Sequence, residues 1–325
     1  MRTMQILMAA TALTAVGAAA TQAETWDMPL AYPATNFHSE NAADFGACVA
    51  EATGGAIEVV THPNGSLFAG NDIKRAVQTG QAPIGERLIS AHQNENPMFG
   101  IDSIPFLATS FEDHERLWEA AGPAMAEILD AQNLVYLYSV AWPPQGLYFK
   151  REINSVADMD GIRFRSYNTA TARLAELTNM RPVQIEAAEL SQALATGVAE
   201  SFVSSGATGY DSQVWESLTH FYEVDAWLPR NIIFANKQAW EGLDGDTQAA
   251  MLGCAETAKA AGLERSIAYT NFTLDGLREG GMIVQRASDE LMDELREIGA
   301  TMTDEWLESA GETGQAVIEV YRSSN

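Results

Sequence analysis

The sequence predicts an α/β fold of two lobes with a cleft between them. Strand-like and helix-like segments alternate along the chain, an order typical of parallel sheets covered by helices. The alternation occurs in two blocks, before and after about residue 150, and the 325-residue length suits two lobes of ordinary size. We therefore expect a ligand site at the C-terminal ends of the strands, where the lobes meet.

The N-terminus has the features of a cleaved signal peptide covering residues 1–23. Arg2 supplies a short positive region, residues 5–20 are apolar and uncharged, and residues 21–23 place small side chains where a signal peptidase reads. The apolar run is too short and too rich in alanine for a secure membrane span, and a buried helix is the alternative. We expect cleavage after Ala23, which leaves 325 − 23 = 302 residues in a periplasm or outside the cell.

Composition excludes some partners. With 44 Asp and Glu against 19 Lys and Arg, the formal net charge is −25. A surface this negative repels phosphate backbones, so we expect no nucleic-acid partner and no polybasic membrane anchor. Hydrophobic residues make up 46% of the chain, which is typical of a globular protein.

The first block alternates in a regular way. Ser39 is placed to cap a helix, and Gly54 and Gly55 to end it. Residues 57–61 are β-branched, and a later helix carries an apolar stripe from Leu117 to Leu129. The predicted order is strand Met28–Tyr32, helix Ser39–Glu51, strand Ile57–Thr61, helix Asp72–Thr79, strand Pro83–Ser90, helix Phe111–Gln132 and strand Leu134–Ala141.

The second block repeats the alternation and ends in long helices. The segment from Asp246 could extend for about 50 Å at 1.5 Å per residue. Residues 206–209 are small and glycine-rich, and we expect a loop there. The predicted order is strand Gly161–Ser166, helix Thr169–Thr178, strand Pro182–Ile185, helix Ala187–Thr196, strand Val198–Val203, strand Ile232–Ala235, helix Asp246–Gly280, strand Ile283–Val284 and a helical tail Ser288–Tyr321.

The chain has two cysteines, Cys48 and Cys254, both in helical patterns. They could be small buried hydrophobic residues, but in an oxidising compartment we favour one disulfide between them. No CxxC, HExxH or GxSxG motif occurs, and the five histidines stand far apart in sequence. We therefore predict no metal site, no cofactor and no catalytic residues.

Several short motifs occur in a recognisable order. The earliest is Ile-Pro-Phe-Leu; the others are Gly-Ile-Arg-Phe-Arg before a helix, Pro-Val, Ala-Leu-Ala-Thr-Gly-Val-Ala-Glu and Phe-Ala-Asn-Lys-Gln-Ala-Trp. They lie at residues 104–107, 161–165, 182–183, 193–200 and 234–240. Together they resemble the solute-binding proteins of TRAP transporters, over nearly the whole mature chain.

The resemblance implies a clamp of the periplasmic-binding-protein type. Each lobe would hold a mixed sheet flanked by helices, and the helix Asp246–Gly280 would span both lobes. We assign residues 24–150 and about 231–282 to lobe I, and residues 151–230 and about 283–325 to lobe II. The resemblance also implies a receptor, not an enzyme, that binds an organic acid and delivers it to the integral membrane subunits of a TRAP transporter. We expect a monomer.

The resemblance implies that Arg165 holds the ligand's carboxylate. A guanidinium offers two parallel N–H donors to a carboxylate and stays charged when it is desolvated. Strand alternation points Arg163 to the same side, so alternation alone does not choose between the two arginines. The family register favours Arg165. The alternative is a structural ion pair at Arg165.

Two departures from the family pattern suggest the kind of acid. Gln145 stands where sialic-acid-type members carry a second arginine, and Ser204 stands where many members carry an asparagine. We therefore expect a monocarboxylate with an apolar or aromatic body, stacked on Trp142 or Phe37. The alternative is that these two aromatic residues pack the hinge or the core.

Arg87 is a further candidate for the ligand site, within the predicted strand Pro83–Ser90. It could face the cleft from the first lobe. It could also pair with Glu86 or another acid on the surface, and we favour that pairing.

Three other functions remain open at this point. A binding protein of an ATP-driven importer would have the same lobes and cleft. A secreted α/β hydrolase would need a reactive Ser, Asp or His in the cleft, and the sequence holds no motif for one. A sensor subunit would bind the same ligand but report to a receptor.

Overall fold

The computed structural model describes residues 23–324. Residues 1–22 of the predicted signal peptide therefore lie outside the described residues. Within the described part, no helix combines the length and the apolar character needed to cross a membrane.

The described chain alternates strands and helices as the sequence predicts. The strands are β1 Glu24–Pro29, β2 Ile57–His62, β3 Ile84–Leu88, β4 Leu134–Ala141, β5 Gln145–Phe149, β6 Arg163–Ser166, β7 Arg181–Gln184, β8 Ser201–Ser205, β9 His220–Glu223, β10 Arg230–Asn236 and β11 Ile283–Arg286. The helices are α1 Phe37–Ala52, α2 Ile73–Gln78, α3 Phe111–Ala131, α4 Thr169–Leu177, α5 Leu190–Ala195, α6 Gly206–Asp211, α7 Lys237–Glu241, α8 Gly245–Glu279 and α9 Asp289–Ser323.

Two lobes form around separate sheets. Lobe I holds the parallel pair β1-β2 and the antiparallel sheet β3-β10-β4, and β1 lies against β3. Lobe II holds the six-stranded sheet β11-β9-β5-β8-β6-β7. Strand alternation alone predicts parallel sheets, but β5 and β10 are antiparallel to their neighbours. Each of these two strands enters its sheet directly from the other lobe, without a covering helix, so it arrives in the opposite direction.

The two segments that cross between the lobes are hydrogen-bonded to each other. The Trp142 backbone N–H donates to the Pro229 carbonyl at 2.8 Å, and the Gln145 N–H donates to the Trp227 carbonyl at 2.9 Å. The Ala226 N–H returns a bond to the Gln145 carbonyl at 3.0 Å. The connection between the lobes is therefore a short two-stranded ribbon, suited to bending as a hinge.

Long helices join the lobes on the outside. Helix α8 packs against α1 and β4 of lobe I and against α6 and β11 of lobe II, which confirms the predicted spanning helix. Helix α9 also contacts both lobes, through α3 and α4, and it is kinked at Gly311, whose φ is 59°. The exact lobe boundaries given above stay a prediction.

The predicted disulfide between Cys48 and Cys254 is confirmed. It joins α1 to α8, with the two Cα atoms 5.8 Å apart. It therefore fixes the spanning helix to lobe I.

Four local predictions were wrong. Ser39 does not cap α1, because the helix already begins at Phe37 and its cap is Asn36, whose side chain accepts from the His38 N–H at 3.0 Å. Residues 206–209 begin helix α6, not a loop, because their glycines serve close packing. A Cβ on Gly206 would lie 2.9 Å from Thr273 Oγ1, and one on Gly209 would lie 2.2 Å from Tyr148 Oη. The strand predicted at residues 198–203 is displaced to β8, after the positive-φ turn at Gly197. The first strand is β1, which ends at Pro29 and not at residue 32.

Candidate functional site

A cavity lies between the lobes, where several strands end. The C-terminal ends of β1, β3, β4, β6, β7 and β8 and the start of β5 converge on it, as expected for an open α/β sheet. It encloses about 430 Å³ of space between the protein atoms, part of which is open to solvent. The lining residues are Tyr32, Arg87, Leu88, Trp142, Gln145, Arg165, Tyr167, Glu186, Ala187, Ser204, Thr208 and Pro229.

Arg165 is buried at the floor of this cavity, with 4% of its surface exposed. Its Nε donates to the Ile185 carbonyl at 2.9 Å, and its guanidinium lies over the Tyr167 ring, 5.1 Å from the ring centre. These contacts fix the plane of the guanidinium. Arg163 does not reach the cavity: it is exposed and pairs with Glu200 at 2.9 Å. The structure thus separates two arginines that strand alternation could not.

The two terminal nitrogens of Arg165 have no protein partner in the described part of the chain. Neither donates a hydrogen bond to residues 23–324, and no acid there forms an ion pair with this side chain. Burial lowers the pKa of Arg165 to about 10, which still leaves it charged at neutral pH. A buried cation without a counter-charge is costly unless an anion joins it. The geometry is that of an anion site.

Gln145 is held by the protein on both sides of its amide. Its Nε2 donates to the Pro143 carbonyl at 3.1 Å, and its Oε1 accepts from Tyr167 Oη at 3.2 Å. Tyr167 Oη in turn accepts from Trp227 Nε1 at 3.1 Å. This chain ties the start of β5 to the ring under Arg165. Burial raises the pKa of Tyr167, so its hydroxyl stays neutral.

Trp142 lines the cavity but Phe37 does not. The Trp142 indole N–H donates to Asn231 Oδ1 at 2.8 Å, and the Tyr32 ring packs on the indole edge-on at 4.8 Å. Phe37 packs against Trp142 at 5.3 Å and is 3% exposed. The two residues predicted as alternative stacking platforms therefore differ in position, because Phe37 begins α1 and Trp142 follows β4 directly.

Arg87 pairs with an acid, as expected, but the partner is Glu186 at the cavity, so the expected partner Glu86 and the expected surface location are wrong. Its Nη2 donates to Asn71 Oδ1 at 2.5 Å and lies 3.4 Å from Glu186 Oε2. Glu86 points the other way, into lobe I, and accepts from the Asn231 amide. Strand alternation explains this: neighbours in β3 face opposite sides of the sheet.

The remaining predicted residue, Ser204, also lines the cavity, opposite Gly146 in the sheet. Sequence reasoning missed Tyr32, Tyr167, Glu186 and Thr208. All four lie one to three residues after the C-terminal end of a strand, and that position was the one signal in the sequence that could have found them.

The charged side chains that line the cavity do not cancel. Two arginines and one glutamate line it, which leaves a net charge of +1. Burial raises the pKa of Tyr32 to about 12, so this hydroxyl adds no charge. The cavity is therefore matched to a single negative charge. Across residues 23–324, no three His, Cys, Asp or Glu side chains are arranged to hold a metal ion.

Comparison with known proteins identifies the family. Residues 30–309 match the family model described as bacterial extracellular solute-binding protein, family 7. The chain belongs to this family. Its members are receptors without enzymatic activity, so this chain is an extracytoplasmic TRAP-type solute receptor for an organic acid.

Three relatives illustrate the similarity. A pyroglutamate-specific TRAP solute-binding protein from a marine metagenome is 54% identical, with a TM-score of 0.92 over 93% of this chain and 99% of that one. DctP6 of Bordetella pertussis, a pyroglutamic-acid receptor, is 42% identical, with a TM-score of 0.91 over 92% of this chain and 100% of that one. A monocarboxylate 2-oxoacid-binding periplasmic protein of Nostoc is 23% identical over 79% of this chain and 72% of that protein.

Proposed function

We propose that this receptor binds pyroglutamate, a five-membered cyclic amide with one carboxylate, and delivers it to the integral membrane subunits of a TRAP transporter. In this proposal the chain is exported by its signal peptide, loses residues 1–23, and acts as a monomer in the periplasm. The ligand's carboxylate sits on Arg165, and its ring lies against Trp142.

One observation carries the proposal: the unpaired, buried guanidinium of Arg165 in a cavity of net charge +1. Its two terminal nitrogens can donate in parallel to the two oxygens of one carboxylate. A monocarboxylate then brings the cavity to neutrality. A dicarboxylate would bring it to a net −1 and leave one buried carboxylate without a cation, which is costly.

The comparisons and the Trp142 side chain that lines the cavity support the same ligand. Two relatives at 54% and 42% identity bind pyroglutamate. The small ring has an apolar body, as the sequence-based hypothesis requires. The indole of Trp142 offers a flat wall for that body, and its N–H is already satisfied by Asn231.

The two lobes contribute different parts of the site. Arg165 and Ser204 come from lobe II, whereas Arg87 and Trp142 come from lobe I and its crossing segment. A ligand that contacts both lobes favours the closed arrangement over an open one. Closure excludes water and strengthens the pairing between Arg165 and the carboxylate.

The test is a binding assay on protein that has been unfolded and refolded to remove bound ligand. Thermal shifts and calorimetry would compare pyroglutamate with pyruvate, succinate and glucuronate. We expect a clear shift with pyroglutamate, because a ligand at about 100 times its Kd stabilises the folded state by about 2.7 kcal/mol. A shift with succinate or glucuronate and none with pyroglutamate would contradict the proposal.

A further inference from the structure

We propose that Glu186 determines the specificity of this cavity. In this proposal the Glu186 carboxylate accepts a hydrogen bond from the ring N–H of a lactam. It also neutralises the charge of Arg87, and the lower positive charge of the cavity disfavours the binding of dicarboxylates. This inference rests on the proposed function, because it concerns the same ligand site.

The pair of Arg87 and Glu186 bridges the two lobes across the cavity. Arg87 lies on β3 of lobe I, and Glu186 follows β7 of lobe II; Nη2 and Oε2 are 3.4 Å apart. Arg87 is also held from its own lobe by Asn71 Oδ1. The pair therefore places the carboxylate of Glu186 at the cavity wall.

Gly70 makes room for this pair. A Cβ at this position would lie 2.7 Å from Glu186 Oε2 and 2.8 Å from Arg87 Nη1. Those distances are shorter than any ordinary contact, so a side chain here would displace both groups. Because the φ of Gly70 is not positive, alanine fits the backbone and disturbs only the pair.

The pair contains polar atoms that the described part of the protein does not satisfy. Glu186 Oε1 and Arg87 Nε are buried and have no hydrogen-bond partner in the described residues. A buried acceptor or donor without a partner is costly. A lactam carries an N–H next to a carbonyl, which supplies a donor for the carboxylate and an acceptor for the guanidinium. The chemistry of the pair thus complements the polar edge of the ring.

The negative charge of Glu186 affects the choice between ligands in a second way. Without its carboxylate, Arg87 and Arg165 would give the cavity a net charge of +2. That charge would suit two carboxylates. Discrimination between ligands often rests on such a repulsive element as well as on attraction.

The experiment measures how Glu186→Gln changes the preference among three probes. The probes are pyroglutamate, its lactone analogue 5-oxotetrahydrofuran-2-carboxylate, in which oxygen replaces the N–H, and glutarate. Calorimetry on refolded protein gives each Kd. Glutamine keeps the size of the side chain but loses its charge. Glu200→Gln, which neutralises a surface acid paired with Arg163, is the matched control.

We expect the wild-type protein to prefer lactam over lactone by roughly 10- to 100-fold, as for a hydrogen bond to a charged group. Glu186→Gln should lose most of that preference and gain affinity for glutarate, whereas Glu200→Gln should change neither. Gly70→Ala keeps both charges but displaces the pair. It should lower the preference for the lactam without a gain in glutarate affinity.

The outcomes separate this inference from the proposed function. If the wild-type protein binds pyroglutamate and Glu186→Gln keeps the lactam-to-lactone ratio, the inference is wrong and the proposed ligand stands. If the wild-type protein does not bind pyroglutamate but Glu186→Gln gains glutarate, the proposed ligand is wrong and the charge role of Glu186 is supported.

Discussion

Two buried arginines, one in each lobe, each lie beside an aromatic ring but differ in their other contacts. Arg230 in lobe I is 1% exposed, and its guanidinium lies 4.8 Å from the Trp118 ring centre. Arg165 in lobe II is 4% exposed and lies over Tyr167 in the same manner. Burial and a ring contact therefore do not distinguish a binding arginine from a structural one.

The difference lies in what the terminal nitrogens contact. Arg230 donates to Ser139 Oγ and His114 Nδ1 at 3.0 Å each, and it pairs with the Glu115 carboxylate. The terminal nitrogens of Arg165 have no such partners in the described residues. Removing one partner of a compensated buried pair leaves the other charge unpaired and destabilises the fold, whereas removing an uncompensated charge does not. On this contrast we base the proposal that Arg165 binds the ligand.

The largest expected effect is on binding, at Arg165. Arg165→Met leaves the ligand's carboxylate buried without a cation, which costs about 3–5 kcal/mol, or at least 100-fold in Kd. The unfolding free energy of the ligand-free protein should not fall, since an uncompensated charge is removed. Calorimetry and chemical denaturation measure the two quantities.

The matched control for this substitution is Arg163→Met, two residues away on the same strand. Its side chain is exposed and its ion pair with Glu200 is solvated, so we expect less than a twofold change in Kd. Equal losses at both positions would mean that the strand as a whole, and not one guanidinium, supports binding.

Loss of the disulfide should affect stability alone. The Cys48–Cys254 bond joins residues that are 206 positions apart in sequence, and replacing both cysteines with alanine should lower the unfolding free energy by about 2–5 kcal/mol, the usual range for a native disulfide. The bond lies outside the cavity, and the Kd of the folded variant should stay near that of the wild type. Denaturant titration with and without ligand checks both statements.

At Arg230 the expected effect is also on stability. Arg230→Met removes one partner of a largely buried ion pair and should lower the unfolding free energy by about 3 kcal/mol, at the low end for such pairs because Glu115 reaches solvent. The remaining folded protein should bind the ligand with unchanged Kd. If Arg230→Met lowers the affinity for the ligand and leaves the unfolding free energy unchanged, the proposed difference between Arg230 and Arg165 is wrong.

The smallest effect is a pH dependence at Glu86, in the interior of lobe I. Burial raises the pKa of Glu86 to about 7. The folded state therefore keeps a proton there that the unfolded state loses, and this contribution to stability declines as the pH rises from about 4.5 through 7.

Glu86→Gln isolates this contribution from those of the buried histidines. The unfolding free energy of the wild type minus that of the variant should fall by roughly 1–2 kcal/mol between pH 5.5 and 7.0. A difference that is flat or rises over this range would mean that Glu86 is ionised in the folded state throughout.

Much of the fold could be predicted because local patterns decide it. Strand β4 has the predicted bounds, and α3 and α8 begin within one residue of their predicted starts. Short strands such as β9 escaped prediction, since four residues carry too little pattern. Helix α6 escaped because its glycines are required by Tyr148 and α8, which are distant in sequence.

The site could be predicted only in part for a similar reason. Arg165 and Gln145 came from the family pattern, but Glu186 had no motif that pointed to it. Its importance depends on Arg87 and Gly70, which lie about a hundred residues earlier and meet it only across the cleft. Side-chain contacts between the lobes belong to the tertiary structure, and a single sequence does not show them.

The most direct test of this account is a crystal structure of the protein bound to pyroglutamate. We predict that both carboxylate oxygens lie about 3 Å from the two terminal nitrogens of Arg165, in a parallel pairing. A carboxylate held by Arg87, with Arg165 in contact only with protein, would contradict the account.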